Sequence, residues 1–157
     1  MIIATLVLHT LSAMILLGAL MHQAASCWRP VMNLKGKQPS MAHSFMSVRG
    51  RIYANTVIAT YIATVVLGDV LYGPYRVDVK TMLFDLELWS WNGIFEVKEH
   101  LVALGLFLLA PYWHLWAAEN LSDFAGPRRA VTTLLAAIVT FALIAGHLLN
   151  NLKGVGF

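Results

Sequence analysis

Histidines in apolar surroundings are the residues of this chain best suited to chemistry. The sequence of 157 residues contains six histidines. Five of them fall within long apolar segments: His9, His22, His100, His114 and His147. An ionisable side chain within a bilayer is costly and points to a function there, and imidazole is a common ligand of haem iron. These five residues are therefore the candidate cofactor-binding and metal-ligating residues. The sixth, His43, lies in a polar connection.

The segments that carry these histidines are long enough to cross a membrane. Of all residues, 59% are hydrophobic and 12% are charged, against about a quarter charged in an ordinary soluble domain. A helix needs about 20 predominantly apolar residues to span a bilayer. We expect four spans, at about 2–25, 52–72, 100–118 and 130–149, which form one all-α transmembrane domain over residues 1–157, a four-helix bundle.

The distribution of charge predicts the orientation of these spans. The connection from Ser26 to Arg51 contains five basic and no acidic residues, and Arg128 and Arg129 directly precede the fourth span. Connections rich in lysine and arginine stay on the cytoplasmic side, so both termini are expected to be non-cytoplasmic, in a bacterial cytoplasmic membrane. The net charge of +3 is a topology signal at the span ends and does not indicate nucleic-acid binding.

The connection between the second and third spans is predicted to lie at the membrane surface. Gly73 and Pro74 are expected to end the second helix. Residues 74–99 are then too apolar for a free loop and too charged for a span. Trp89 and Trp91 suit the headgroup level, so this segment is expected to be interfacial.

Helical geometry sorts the five histidines into two layers. His100 and His114 are 14 residues apart, which corresponds to about 21 Å along a helix and about 40° around it. His9 and His22 are 13 residues apart, about 140° around a straight helix. His22 and His114 form the inner layer. In the outer layer, either His9 or His147 remains open as the partner of His100.

This arrangement resembles the paired-histidine helices of respiratory cytochromes b and, more loosely, the small four-helix membrane cytochromes of the b561 kind. The resemblance extends over the bundle plan and His9, His22, His100 and His114. It implies two b-type haems, or one in a single-layer variant, and electron transfer between a quinone pool and a partner redox protein or larger complex. Small residues suited to a porphyrin between helices are Gly18, Ala19, Gly105, Ala145 and Gly146. Close packing of membrane helices without a cofactor explains the glycines equally well.

Other interpretations of the same residues remain open. The chain could be a cofactor-free accessory or assembly subunit that packs against a larger membrane complex. Asp69 and Glu99 could carry protons at a quinol site in the outer layer, or simply form ion pairs near the membrane surface. The seven methionines favour packing over copper binding.

Overall fold

The fold is built from four long helices. A computed structural model describes residues 2–28, 40–41, 44, 50–118 and 123–155, with side chains up to residue 151. Helix α1 covers Ile2–Trp28, α2 covers Gly50–Tyr75, a π-helical segment covers Arg76–Lys80, α3 covers Thr81–Asp85, α4 covers Trp89–Ala117 and α5 covers Ala125–Val155. No strand occurs in these ranges, which confirms the all-α prediction. Most of the basic connection predicted between the first two spans, with His43, lies outside the described residues.

Three of the described helices are long and apolar enough to cross a membrane. They are α1, α2 with its continuation to Asp85, and α5 up to Asn151. By composition, therefore, this is a membrane protein. Helix α4, which contains the predicted third span, is not among the three. Its apolar stretch is bounded by Lys98 and Glu99 and carries a histidine near each end.

Hydrogen bonds between side chains and neighbouring helices fix the register of the long helices. Ser12 of α1 donates to the Thr60 carbonyl of α2 at 3.2 Å, and Thr64 donates to the Ser12 hydroxyl at 3.0 Å. Near the other end, the indole of Trp113 on α4 donates to Asn55 of α2 at 3.1 Å. Consecutive long helices are therefore antiparallel, with contacts of α1 to α2, α2 to α4, α4 to α5 and α5 to α1.

The centre of the fold is closed by a hydrogen bond between two buried polar side chains. The Tyr112 hydroxyl of α4 donates to the amide oxygen of Gln23 on α1, and both residues are fully buried. The Gln23 amide group also points to the Gly50 carbonyl of α2, at 3.5 Å. Leu16, Leu20 and other apolar side chains surround the pair. One polar contact thus joins three helices inside an apolar core.

The contact between α2 and α4 depends on a glycine. The buried Tyr61 ring of α2 lies against Gly105, and its hydroxyl donates to the Val102 carbonyl at 2.9 Å. A Cβ atom at Gly105 would lie only 2.8 Å from Tyr61 Cζ. The absence of a side chain at residue 105 therefore makes room for tyrosine.

The second helix does not end at Gly73-Pro74. Pro74 lies inside α2, which passes directly into the π-helical segment. A π-helix uses i→i+5 hydrogen bonds, so the helix can rearrange its bonding where the proline lacks its N–H. The prediction of a break at Pro74 was wrong because it did not allow for this continuation.

Helix α3 ends in a Schellman motif that turns the chain into α4. Leu88 N donates to Leu83 O at 2.8 Å and Glu87 N to Phe84 O at 3.0 Å, the two bonds of that motif. Glu87 has a φ of 56°, the left-handed conformation that the motif requires. The predicted interfacial segment is thus a short helix, a tight turn and the first turns of α4.

This short helical segment is attached to the ends of α4 and α5. Val79, Leu83, Phe95 and Leu149 form a second apolar cluster. Lys80 Nζ lies 2.9 Å from the Glu96 carboxylate. Its hydrogen bond and charge hold the pKa of Glu96 below the usual range. Apolar packing and an ion pair together position this end of the protein.

We predict that Gly105→Ala destabilises the protein. The added methyl group overlaps the Tyr61 ring, and overpacking of this kind costs about 1–3 kcal/mol. Thermal unfolding in detergent measures the effect. Gly73→Ala is the matched control, because nothing lies within 4 Å of a Cβ there. Equal melting temperatures for the two variants would contradict the close contact between α2 and α4.

Candidate functional site: two histidine layers

Helix α4 carries its two histidines on the face opposite the core. Gly105, Leu109 and Tyr112 are buried on its inner face. His114 follows Tyr112 by two residues, about 200° around the helix, and is exposed. His100, which lies about 40° from His114, is also exposed. His100 and His114 thus share one face of their helix, and that face points outward.

His22 lines a groove between α1 and α2. Its Nδ1 lies 2.8 Å from the Tyr53 hydroxyl, and the two rings meet edge to face with centroids 5.2 Å apart. The groove has a volume of about 400 Å³ and is lined by Ile15, Gly18, Ala19, His22, Ile52, Tyr53 and Thr56. Ile15 and Ile52 are each more than half exposed, so the groove opens toward the lipid side of the helix pair.

His9 is half-buried and turned toward α2. Its Nδ1 lies 2.9 Å from the Thr64 carbonyl oxygen. Gly68 leaves room for the ring, because a Cβ there would lie 3.1 Å from His9 Cε1. Thr64 follows Tyr61 by three residues on α2, and Tyr61 donates to the Val102 carbonyl of α4. His9 therefore lies toward the end of α4 that carries His100.

His100 has the tautomer of a typical metal ligand. Its Nδ1 lies 2.7 Å from the Glu96 carbonyl oxygen. A carbonyl only accepts, so Nδ1 carries the hydrogen and Nε2 is the unprotonated nitrogen of the neutral ring. Histidines that bind metals commonly donate their second ring nitrogen in this way. His9 Nδ1 donates to the Thr64 carbonyl oxygen in the same way.

His147 does not face His100 across the core. It is exposed on α5, where its Nε2 lies 3.1 Å from the Asn151 side-chain amide nitrogen. Asn151 donates this bond, so Nε2 serves as its acceptor. Within one chain, therefore, neither His9, which bonds to Thr64 of α2, nor His147 faces His100.

A haem held across the interior of one chain does not fit this arrangement. Between His22 and His114, the interior is filled by Gln23 and Tyr112. In the outer layer, His9 bonds to α2, whereas His100 points away from the core. Gly105, one of the small residues expected beside a porphyrin, is covered by Tyr61. The paired rings therefore do not face each other within one chain.

Glu99, one of the two carboxylates expected near the outer layer, has a charged partner. Glu99 forms an ion pair with Lys98, at 2.9 Å, which agrees with the ion-pair interpretation of this residue. Lys98 Nζ also lies 4.4 Å from the centroid of the Phe95 ring.

Among the described residues, no group of three or more His, Cys, Asp and Glu side chains is arranged to hold a metal ion.

Two features of the site were missed in the sequence. Tyr53 was not among the candidate residues, although it lies on the second span, where it bonds to His22. Phe107 lies midway between His100 and His114, seven residues from each, and this regular spacing was available as a signal.

A comparison with protein-family models, curated proteins and solved structures finds no match to this chain.

Proposed function

We propose that this chain is a cytochrome subunit of a membrane redox complex, in which His100 and His114 bind b-type haem at the outward face of α4. The observation that carries this proposal is the exposure of both histidines on one helix face. In this proposal four helices span the bacterial cytoplasmic membrane, α4 included, and both termini are non-cytoplasmic.

The cost of exposing this face to lipid supports a covered site. Histidines within a bilayer are expensive and almost always face protein or a polar cavity. Phe107, between the two histidines, is 80% exposed. Apolar surface alone can face lipid, but the imidazoles at either end require a partner. Iron ligation within a protein interface satisfies both rings.

The orientation of His100 supports iron as that partner. Its Nδ1–H is bound by the Glu96 carbonyl, so Nε2 is the nitrogen that would ligate. Bound haem would supply one-electron chemistry, while this chain holds the ring and sets its exposure to water. The first turns of α4 position His100, because the α3 turn and the Lys80–Glu96 ion pair fix where that helix begins.

The groove at His22 is the proposed place of exchange with quinone. A quinone carries two ring oxygens that accept hydrogen bonds, and its quinol form donates them. Tyr53 and His22 present hydroxyl and imidazole groups in a mostly apolar groove, whose third polar lining residue is Thr56. Mostly apolar walls with a few polar groups are typical of small-molecule sites. Trp113 bonds to Asn55, two residues from Tyr53, so the groove and His114 lie at similar depths.

The second candidate is a cofactor-free accessory subunit of a larger membrane complex. The same exposed face of α4 favours it, since protein side chains of a partner could satisfy His100 and His114 by hydrogen bonds. The two candidates differ in one observable property. A cytochrome subunit carries haem when purified with its complex, and an accessory subunit is colourless.

We predict that His100→Ala and His114→Ala each remove one b-type haem. Reduced-minus-oxidised absorbance spectra and the pyridine haemochrome assay measure haem per chain in detergent-purified protein. His147→Ala is the matched control, since that exposed histidine lies on α5, and we expect it to retain full haem content. Unchanged haem in both α4 variants, or loss in His22→Ala instead, would contradict ligation by the outward face.

We also predict that Tyr53→Phe slows reduction of the haem by a soluble quinol analogue. Loss of one hydrogen bond of about 0.5–1.5 kcal/mol corresponds to about a two- to tenfold lower apparent affinity. Haem content should stay unchanged. Tyr72→Phe provides the control, because Tyr72 stacks on Phe95 away from the groove. If the two variants reduce at the same rate, quinol does not use Tyr53.

A further inference from the structure

Two arginines stack on two tryptophans at one end of the helix bundle. Arg128 and Arg129 lie in the first turns of α5. The Arg128 guanidinium lies over the ring of Trp116, near the end of α4, with Cζ 5.3 Å from the ring centroid. The Arg129 guanidinium lies over the ring of Trp28, at the end of α1, with Cζ 4.6 Å from its centroid. These four side chains are defined here as the arginine–tryptophan cluster.

Both tryptophan rings of this cluster are held in place by α5. Trp116 is buried, and its indole N–H donates to the Thr132 hydroxyl at 3.0 Å. The Trp28 indole N–H donates to the Thr133 hydroxyl, also at 3.0 Å. A planar guanidinium loses little freedom per hydrogen bond that it forms, and stacking on a fixed ring restricts it in advance. The two arginines are therefore oriented before any ligand binds.

The two guanidinium groups have N–H donors to spare. Arg129 donates through Nε to the Cys27 carbonyl at 3.3 Å. Nη1 of Arg128 is buried and has no hydrogen-bond partner, although the side chain as a whole is partly exposed. The ion pairs among the described residues are those of Lys80 and Lys98, at the other end of the bundle. Because a charged donor without a partner is costly, an anion that supplies acceptor oxygens here is stabilising.

The arginine–tryptophan cluster lies where two candidate membrane spans meet water. The spans Ile2–Trp28 and Ala125–Asn151 are apolar enough to cross a bilayer, and the cluster occupies the last residue of the first and the first turns of the second. Tryptophan is enriched at the level of the lipid headgroups. The connections 26–51 and 119–129, which join the helices at this end, contain seven basic and two acidic residues. This end of the protein therefore attracts anions at headgroup depth.

We propose that Arg128 and Arg129 bind the phosphate of an anionic phospholipid. A guanidinium presents paired N–H donors that match the oxygens of a phosphate group, and the two consecutive residues offer them at one depth. Trp28 beside them is 59% exposed. The acyl chains of a lipid cover such a ring, whereas free phosphate does not. This binding does not depend on the proposed function.

Lipid titration followed by native mass spectrometry tests this site, because bound lipids are counted on each particle. The detergent-solubilised protein receives dioleoylphosphatidylglycerol or dioleoylphosphatidylcholine, which share their acyl chains and differ in net charge. We expect the first phosphatidylglycerol to bind at least about tenfold more tightly than phosphatidylcholine, and Arg129→Gln to abolish this preference. Arg51→Gln is the matched control: it also removes one positive charge, from an exposed side chain in the first turn of α2 at the same end.

The control variant separates a specific site from general attraction between charges. Retained preference in Arg51→Gln, with loss in Arg129→Gln, supports the arginine–tryptophan cluster as the site. Equal losses in both variants would overturn it, and so would equal affinity of the wild-type protein for the two lipids, a comparison that needs no variant to fold. Inorganic phosphate in large excess distinguishes the source of the phosphate group. We expect the lipid to stay bound, and its complete displacement would show that the ligand is a soluble phosphate.

Discussion

The hydrogen bond between Gln23 and Tyr112 fixes how α1 and α4 are rotated about their axes. Both side chains are fully buried, and a buried donor or acceptor without a partner costs about 1–3 kcal/mol. Either helix can turn only if this bond breaks. With Gln23 inside, its neighbour His22 lies in the groove beside Tyr53. With Tyr112 inside, His114 points outward. This one hydrogen bond thus turns His22 and His114 away from the core.

Because His100 and His114 point outward, α4 carries polar side chains on the face that the core does not cover. Helices α1, α2 and α5 are apolar enough to face lipid, whereas α4 is not among the candidate spans. Its inner face is satisfied by Tyr61, Tyr112 and Trp116 contacts within the chain. The side chains on its outward face that still require a polar partner are His100 and His114. The proposed function follows from satisfying these two rings.

Local patterns in the sequence were sufficient to predict the four long helices. Length and apolarity indicated the positions of α1 and α5. The direction in which the imidazole rings point could not be predicted, because it depends on which residues lie inside the core. Gln23 occupies the interior in place of His22, and Tyr61 fills the space at Gly105. The continuation past Pro74 was likewise missed, since π-helical bonding leaves no simple sequence signal.

Native mass spectrometry of the detergent-solubilised protein tests the central claim most directly, because one spectrum counts chains and haems together. The account predicts that chains of 17.4 kDa carry haem, which is lost in the His100→Ala, His114→Ala double variant. A haem-free particle, purified from cells that supply haem, would contradict the cytochrome function.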